Sequence, residues 1–363
     1  MRAEPENERA ARLAERRARL SPELQSQLAQ RLRPRDASAG ATAAAAPAAP
    51  SALVTIQSSG RRPPFFCVHP AGGDVLCFQA LSRHLGPEQP FYGLQSRGLE
   101  AGDEPLATIE EMAAAYRAEM SRITPGPYHL GGWSLGGVVA FELARQLAEA
   151  GSEVALLAIV DSTPSPGGGN PLPPPSERGD FHHAGPDPAA MDAARDDGDD
   201  WHEEYEEEED GGNDARWLMD IADYLERLWG VELGLAYETL RVLPPESQAL
   251  RFLAAMRGTS FGAAGATLEQ LHRLLRVFKT NVRAFRRYRP RPYPGPITLF
   301  RVAAAAGEPA DAAALEPTLG WGALSPRPVE IETVPGDHIS ALAEPHVRVL
   351  AERLAARIGD PRP

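Results

Sequence analysis

The chain has 363 residues, of which 43% are hydrophobic and two are cysteines. This length suffices for one large domain or two ordinary ones. A formal net charge of -13 argues against nucleic acid as a partner, and no apolar run is long enough for a transmembrane helix or a secretory signal. We therefore predict a globular, cytoplasmic protein in which Cys67 and Cys77 are buried small residues.

The first 50 residues differ in composition from the rest of the chain. Leucines at helical spacing around Ser21-Pro22 predict two short amphipathic helices within residues 1–35. These helices either dock on the main domain or on another protein, or they form a frayed charged arm. Residues 37–50 are mostly Ala and Pro, as is typical of a linker. We expect the folded domain to begin near Ser51.

Strand and helix patterns then alternate along the chain. Strands are predicted at residues 52–56, 64–69, 91–94, 127–130, 154–160, 296–302 and 329–334, and helices at 75–85, 109–123, after residue 136 and at 345–358. The run 154–160 is apolar on both faces, which is typical of a central strand covered by helices on both sides. The alternation predicts an α/β fold with a mostly parallel, doubly wound sheet.

This alternation is interrupted between residues 162 and 293. Residues 165–213 are rich in Pro, Gly, Asp and Glu, and we expect much of this acidic insertion to be disordered. Helical patterns return at 217–228, 246–256 and 268–287 without intervening strands. We interpret residues 214–293 as a helical lid over an active site, carried by a core of residues 51–164 and 294–363.

The stretch from Gly131 to Gly137 lies between a predicted strand and a predicted helix. Gly132, Ser134 and Gly136 fit the G-x-S-x-G nucleophile elbow, a sharp turn that exposes a serine hydroxyl. Side chains at the two glycines would collide with the neighbouring strand and helix. Ser134 is thus the candidate nucleophile, and the amides that begin the helix favour an oxyanion beside it. The motif also occurs by chance in ordinary Gly-rich turns.

An activated serine needs a base and an acid that orients the base, and in hydrolases with this elbow they follow in the order Ser, Asp, His. Asp161 directly follows the apolar strand 154–160, and His338 follows the last strand, so both are expected near Ser134. Asp337 is the competing acid, but its side chain should point away from its neighbour His338. The other downstream histidines are expected to be structural or solvated, namely His182, His183, His202, His272 and His346.

A tetrahedral intermediate also needs main-chain amides for its oxyanion, and losing one donor costs roughly 3 to 4 kcal/mol. One amide is expected from Leu135, and the other from the loop His69 to Gly73. Pro70 has no N–H, so Ala71 is the first candidate and Gly72 the second. His69-Pro70 is also typical of a rigid turn that ends a strand, and both interpretations can hold at once.

Taken together, four segments resemble the type I thioesterase domains that end nonribosomal peptide synthetases and polyketide synthases: residues 66–73, 131–137, 160–162 and 334–338. The His-Pro-Ala-Gly-Gly run and Trp133 make this more specific than a match to a generic hydrolase. The resemblance covers roughly residues 52–165 and 265–358 and implies the α/β-hydrolase fold.

By this resemblance, Ser134 would accept an acyl or peptidyl chain from the phosphopantetheine thioester of a carrier protein. His338 would be the base, and Asp161 would orient it. Water, or the chain's own hydroxyl or amine, would then release a linear or macrocyclic product. The resemblance implies no cofactor besides the phosphopantetheine that the carrier presents.

The long acidic insertion departs from the family, and residues 1–50 contain no Asp-Ser-Leu carrier attachment site. We therefore expect a free-standing or excised enzyme that meets its carrier in trans, with the leading helices as a candidate docking element. Alternatives are an esterase or lipase acting on free esters and an inactive binding domain on the same fold. A metal enzyme has less support, because His182-His183 and the acidic block lack ligand spacing.

Overall fold

A computed structural model describes residues 51–164, 213–257, 259, 265–302 and 317–359. The predicted arm and linker at residues 1–50, and the acidic insertion up to residue 212, lie outside these ranges. Within them, a seven-stranded sheet has the order β1-β3-β2-β4-β5-β6-β7. Its strands are β1 (Leu53–Gln57), β2 (Phe65–Val68), β3 (Phe91–Leu94), β4 (Tyr128–Trp133), β5 (Val154–Val160), β6 (Thr298–Val302) and β7 (Glu330–Val334).

The sheet is parallel throughout except at one edge, where β1 pairs antiparallel with β3. The helices of the described ranges are α1 (Gln79–Leu85), α2 (Ile109–Met120), α3 (Leu135–Glu149), α4 (Ala215–Trp229), α5 (Tyr237–Leu240), α6 (Pro245–Arg257), α7 (Leu268–Arg287) and α8 (Val347–Gly359). The helix predicted at 75–85 is a 3-10 turn followed by α1, and the four-residue α5 is too short for its periodicity to be recognised.

Helices cover both faces of the sheet. Along β2, Phe66 and Val68 enter an apolar cluster that includes α2 and α3, whereas Phe65 and Cys67 enter the cluster of α1 and α8 on the other face. The strand β5 likewise contributes to both clusters, as its continuous apolar run predicts. Each large side chain that is fully buried in this way stabilises the fold by about 1.5 to 3 kcal/mol. The predicted doubly wound α/β sheet is confirmed.

A third apolar cluster joins α4, α6 and α7, which lie between β5 and β6 in the chain. Its members include Trp217, Phe252 and Leu271. The helix α7 also contacts the loop after β3, where Arg276 pairs with Glu104. The boundaries of core and lid stay a prediction. No helix within the described ranges is both long and apolar enough to cross a membrane.

Candidate active site

Ser134 lies at a sharp turn between β4 and α3, with φ 57 and ψ -128. A Cβ atom at Gly132 would come within 1.9 Å of the carbonyl oxygen of Gly136, in the first turn of α3. A Cβ at Gly136 would come within 2.2 Å of the carbonyl oxygen of Val68 on β2. Both contacts are with main-chain atoms, which cannot move aside as a flexible side chain can. Steric exclusion of a Cβ atom therefore explains why the motif has glycine at both positions.

The candidate base and acid are in contact. Nδ1 of His338 lies 2.7 Å from Oδ2 of Asp161, which is only 6% exposed. The other carboxylate oxygen of Asp161 accepts a hydrogen bond from the amide of Val302, at 3.3 Å, at the end of β6. Because a carboxylate accepts, Nδ1 of His338 is the donor, which leaves Nε2 of the neutral ring as an acceptor. This is the tautomer that a general base requires.

Asp337, the competing acid, is committed to other partners. Its Oδ1 accepts hydrogen bonds from the amides of Ile339 and Ser340, both at 3.0 Å, and lies 2.6 Å from the guanidinium of Arg227 on α4. Burial raises the pKa of this carboxyl, but the hydrogen bonds and Arg227 outweigh burial and lower it below its ordinary value. The carboxylate therefore faces its own turn and the lid.

The loop after β2 is held in a defined conformation. The amide of Gly73 donates to the carbonyl of Pro70 at 2.9 Å, and Nδ2 of Asn281 on α7 donates to the carbonyl of Ala71, also at 2.9 Å. Leu135 is the first residue of α3, so its amide lacks an acceptor within the helix. The amides of Ala71 and Leu135 therefore stay the predicted oxyanion donors.

One cavity contains Ser134 and His338. From the core it is also lined by Trp133 and Ala71. From the lid it receives residues of α4 and α7, namely Asp220, Ile221, Asp223, Tyr224, Leu225, Leu274 and Phe278. The sequence alone does not identify these residues as part of the site. The amphipathic periodicity of α4 and α7 indicates which helix face is buried, but it does not show that this face borders a cavity.

The remaining described histidines have other surroundings, and none of them lines this cavity. Nε2 of His84 contacts Glu344 at 2.6 Å, and Nδ1 of His346 contacts the carbonyl of Ser340 at 3.3 Å. His272 lies in a separate groove on α7. His182, His183 and His202 lie outside the described ranges. In the part of the chain that the structure describes, no three His, Cys, Asp or Glu side chains are grouped to hold a metal ion.

A mostly parallel sheet covered on both faces, with a serine elbow after β4 and an Asp-His pair after β5 and β7, defines an α/β-hydrolase fold. The solved structures that share this fold include the following two. One is a four-domain nonribosomal peptide synthetase, holo-AB3403 (26% identity, TM-score 0.65, covering 86% of this chain and 20% of that one). The other is the Vlm2 thioesterase domain (24% identity, TM-score 0.54, covering 84% and 96%).

Residues 63–171 match the family described as Thioesterase domain. Over 114 residues the chain is 46% identical to a dimodular nonribosomal peptide synthase of Bacillus subtilis (strain 168) and 46% identical to malpibaldin synthetase of Mortierella alpina. These alignments cover 31% of this chain but only 5% and 2% of the two relatives. The resemblance to the type I thioesterase domains of nonribosomal peptide synthetases is confirmed, and family and fold together support a hydrolase.

Proposed function

We propose that this protein is a serine thioesterase that releases an acyl or peptidyl chain from the phosphopantetheine thioester of a carrier protein, in nonribosomal peptide or polyketide synthesis. The observation that carries the proposal is the 2.7 Å contact between Asp161 and His338, because His338 lines the same cavity as Ser134. The relatives are peptide synthetases, which supports a carrier-bound chain as the substrate.

In the acylation step, Oγ of Ser134 attacks the thioester carbonyl while Nε2 of His338 takes the hydroxyl proton. Asp161 holds the ring in the required tautomer and stabilises the imidazolium that forms. The carbonyl oxygen becomes an oxyanion that accepts hydrogen bonds from the amides of Leu135 and Ala71. When the intermediate collapses, the C–S bond breaks and the pantetheine sulfur takes the proton from His338.

The acyl group is then an ester on Ser134, which a second nucleophile must attack. His338 removes a proton from water, or from a hydroxyl or amine of the chain itself, and returns that proton to Oγ as the ester bond breaks. The lid presents Ile221, Leu274 and Phe278 to the cavity. These apolar side chains suit the carbon chain of an acyl group.

The alternative of an esterase on free esters is tested by substrate competition. Purified protein is given the same acyl group as a carrier-bound thioester and as a free p-nitrophenyl ester, and kcat/KM is measured for each. The proposal predicts a higher kcat/KM for the carrier-bound thioester, because the carrier adds binding energy outside the acyl group. If the protein turned over the free ester but not the carrier-bound thioester, it would be an esterase and the proposal would be wrong.

A further inference from the structure

A buried histidine contacts the loop that would supply one oxyanion donor. His69 precedes Pro70 and is fully buried. Nδ1 of its ring lies 2.7 Å from the carbonyl oxygen of Pro70, and Nε2 lies 2.7 Å from the hydroxyl of Tyr116 on α2. The reaction steps proposed above do not use this side chain.

The protonation of this pair follows from its partners. A carbonyl oxygen can only accept, so Nδ1 of His69 carries the proton, and Nε2 accepts the hydrogen bond that the Tyr116 hydroxyl donates. Burial lowers the pKa of His69 to about 4, although the hydrogen bond to Pro70 acts in the opposite direction. Burial also raises the pKa of Tyr116. Both side chains are therefore neutral near pH 7, and His69 is unsuited to act as a base.

The hydrogen bond from His69 fixes a whole peptide plane. In a planar trans peptide, the carbonyl of Pro70 and the N–H of Ala71 point in opposite directions. The Pro70 oxygen also accepts from the amide of Gly73 at 2.9 Å, so both of its lone pairs are engaged. On the other side of Ala71, its own carbonyl accepts from Asn281 at 2.9 Å. The direction of the Ala71 N–H is thus set by groups that hold the two flanking carbonyls.

This loop lies directly against the elbow. A Cβ atom at Gly136 would come within 2.7 Å of the carbonyl oxygen of His69. Ala71 and Ser134 line the same cavity. A rotation of the loop would therefore change the position of the Ala71 amide relative to Ser134.

We propose that His69 is a positioning residue: by donating from Nδ1 to the Pro70 carbonyl, it orients the Ala71 N–H toward the oxyanion that forms at Ser134. Tyr116 holds the imidazole in the tautomer that this requires. The inference rests on the proposed function only in that Ser134 must be the nucleophile. A reagent that acylates or phosphonylates the serine without a carrier protein can therefore test it.

The test measures inactivation of the full chain by an alkyl fluorophosphonate, whose phosphonyl oxygen occupies the oxyanion position. His69→Leu removes the donor, and His69→Asn retains an N–H close to the position of Nδ1. Tyr116→Phe removes only the hydrogen bond between the Tyr116 hydroxyl and Nε2 of His69. The matched control is His129→Leu, at a buried histidine on β4. Circular dichroism and urea unfolding establish the folded fraction of each variant.

We expect His69→Leu to lower the inactivation rate constant about 10- to 100-fold, which is a smaller effect than complete removal of an oxyanion donor. The binding constant KI should change less than about 3-fold. His69→Asn should recover most of the rate, Tyr116→Phe should be intermediate, and His129→Leu should match the wild type. Folded His69→Leu with the wild-type rate constant, or with only a raised KI, would overturn the proposal. If His69→Leu does not fold, a wild-type rate constant in Tyr116→Phe would overturn the proposal as well.

The pH dependence separates positioning from proton transfer. Because His69 is neutral near pH 7 and donates through Nδ1, His69→Asn should keep the shape of the wild-type pH–rate profile. Loss of one limb of that profile would mean that His69 itself transfers a proton, which contradicts the proposal. Failure of the wild type to turn over a carrier-bound thioester would instead remove the proposed function, while the fluorophosphonate rates would still decide the role of His69.

Discussion

The indole N–H of Trp133 donates a hydrogen bond to the main-chain carbonyl of His338, with 2.8 Å between Nε1 and the oxygen. Trp133 immediately precedes Ser134, and the rings of Trp133 and His338 lie 5.3 Å apart. On its other side, Trp133 stacks on Tyr224 of the lid at 6.0 Å. One side chain at the end of β4 therefore supports the loop of the candidate base and contacts the lid as well.

Replacing Trp133 should weaken catalysis more than substrate binding. Trp133→Phe keeps an aromatic ring but removes the hydrogen bond to His338, which is worth about 0.5 to 1.5 kcal/mol. We expect kcat to fall about 10-fold while KM changes little, because the loop of the base is less well positioned. Steady-state kinetics on an acyl thioester measure both constants. A rise in KM at constant kcat would show that Trp133 acts on substrate binding instead.

Replacing the acid that orients His338 should have a large effect. Asp161→Asn removes the charge that stabilises the imidazolium and favours the wrong tautomer, so we expect kcat to fall by roughly 10⁴-fold. The matched control is Asp337→Asn, next to His338, where the carboxylate binds Ser340 and Arg227 instead. Asp337→Asn should lose far less activity than Asp161→Asn. Equal losses in the two variants would contradict the assignment of Asp161.

The elbow glycines should tolerate no side chain. In Gly132→Ala the new Cβ would lie 1.9 Å from a main-chain oxygen of α3, which cannot move without displacing the helix. We expect the free energy of unfolding to fall by more than about 3 kcal/mol, or no folded protein to form. Gly359→Ala is the control, because a Cβ there meets nothing within 4 Å. Urea unfolding measures the stability of both variants. Equal stabilities would show that Gly132 does not pack closely against the main chain of α3.

The stability contributed by His69 should depend on pH. Burial lowers its pKa to about 4 in the folded protein, against an ordinary value of 6.5. The unfolded chain therefore binds more protons between these values, so stability is fully present above about pH 6.5 and decreases as the pH falls toward 4. Over this pH range, protonation of His69 should lower the free energy of unfolding by about 3 kcal/mol.

This pH dependence is measured as a difference between two proteins. Unfolding free energies of the wild type and of His69→Asn are compared from pH 7 to pH 4, because carboxylates contribute equally to both. The difference in unfolding free energy that favours the wild type should become smaller as the pH falls. A constant difference would show that His69 titrates alike in the folded and unfolded chains.

The sequence predicts the strands, the elbow and the Asp-His pair because each leaves a local pattern. Apolar runs mark the buried strands, and the position of Asp161 and His338 directly after strands places both at the carboxyl ends of a parallel sheet. The glycine spacing around Ser134 reflects contacts within a single turn. These features depend on short stretches of chain and on one topological rule.

Other parts of the site depend on contacts between distant residues, which leave no such pattern. The strand β1 pairs antiparallel with β3, which is not its neighbour along the chain, and no residue pattern in either strand predicts this pairing. The contact of His69 with Tyr116 spans 47 residues, and that of Asn281 with Ala71 spans 210. An Asn on an amphipathic helix is ordinarily a surface residue. Only the packed structure shows that Asn281 is fully buried and contacts the loop after β2.

The most direct measurement is the intact mass of the protein after mixing with a carrier protein that bears an acyl-phosphopantetheine. We expect a covalent acyl adduct on the wild type, none on Ser134→Ala, and a loss of turnover in that variant approaching about 10⁶-fold. The mass of the released product then distinguishes hydrolysis from cyclisation. Undiminished release of the chain by Ser134→Ala would contradict the acyl-enzyme mechanism and the role of the elbow serine.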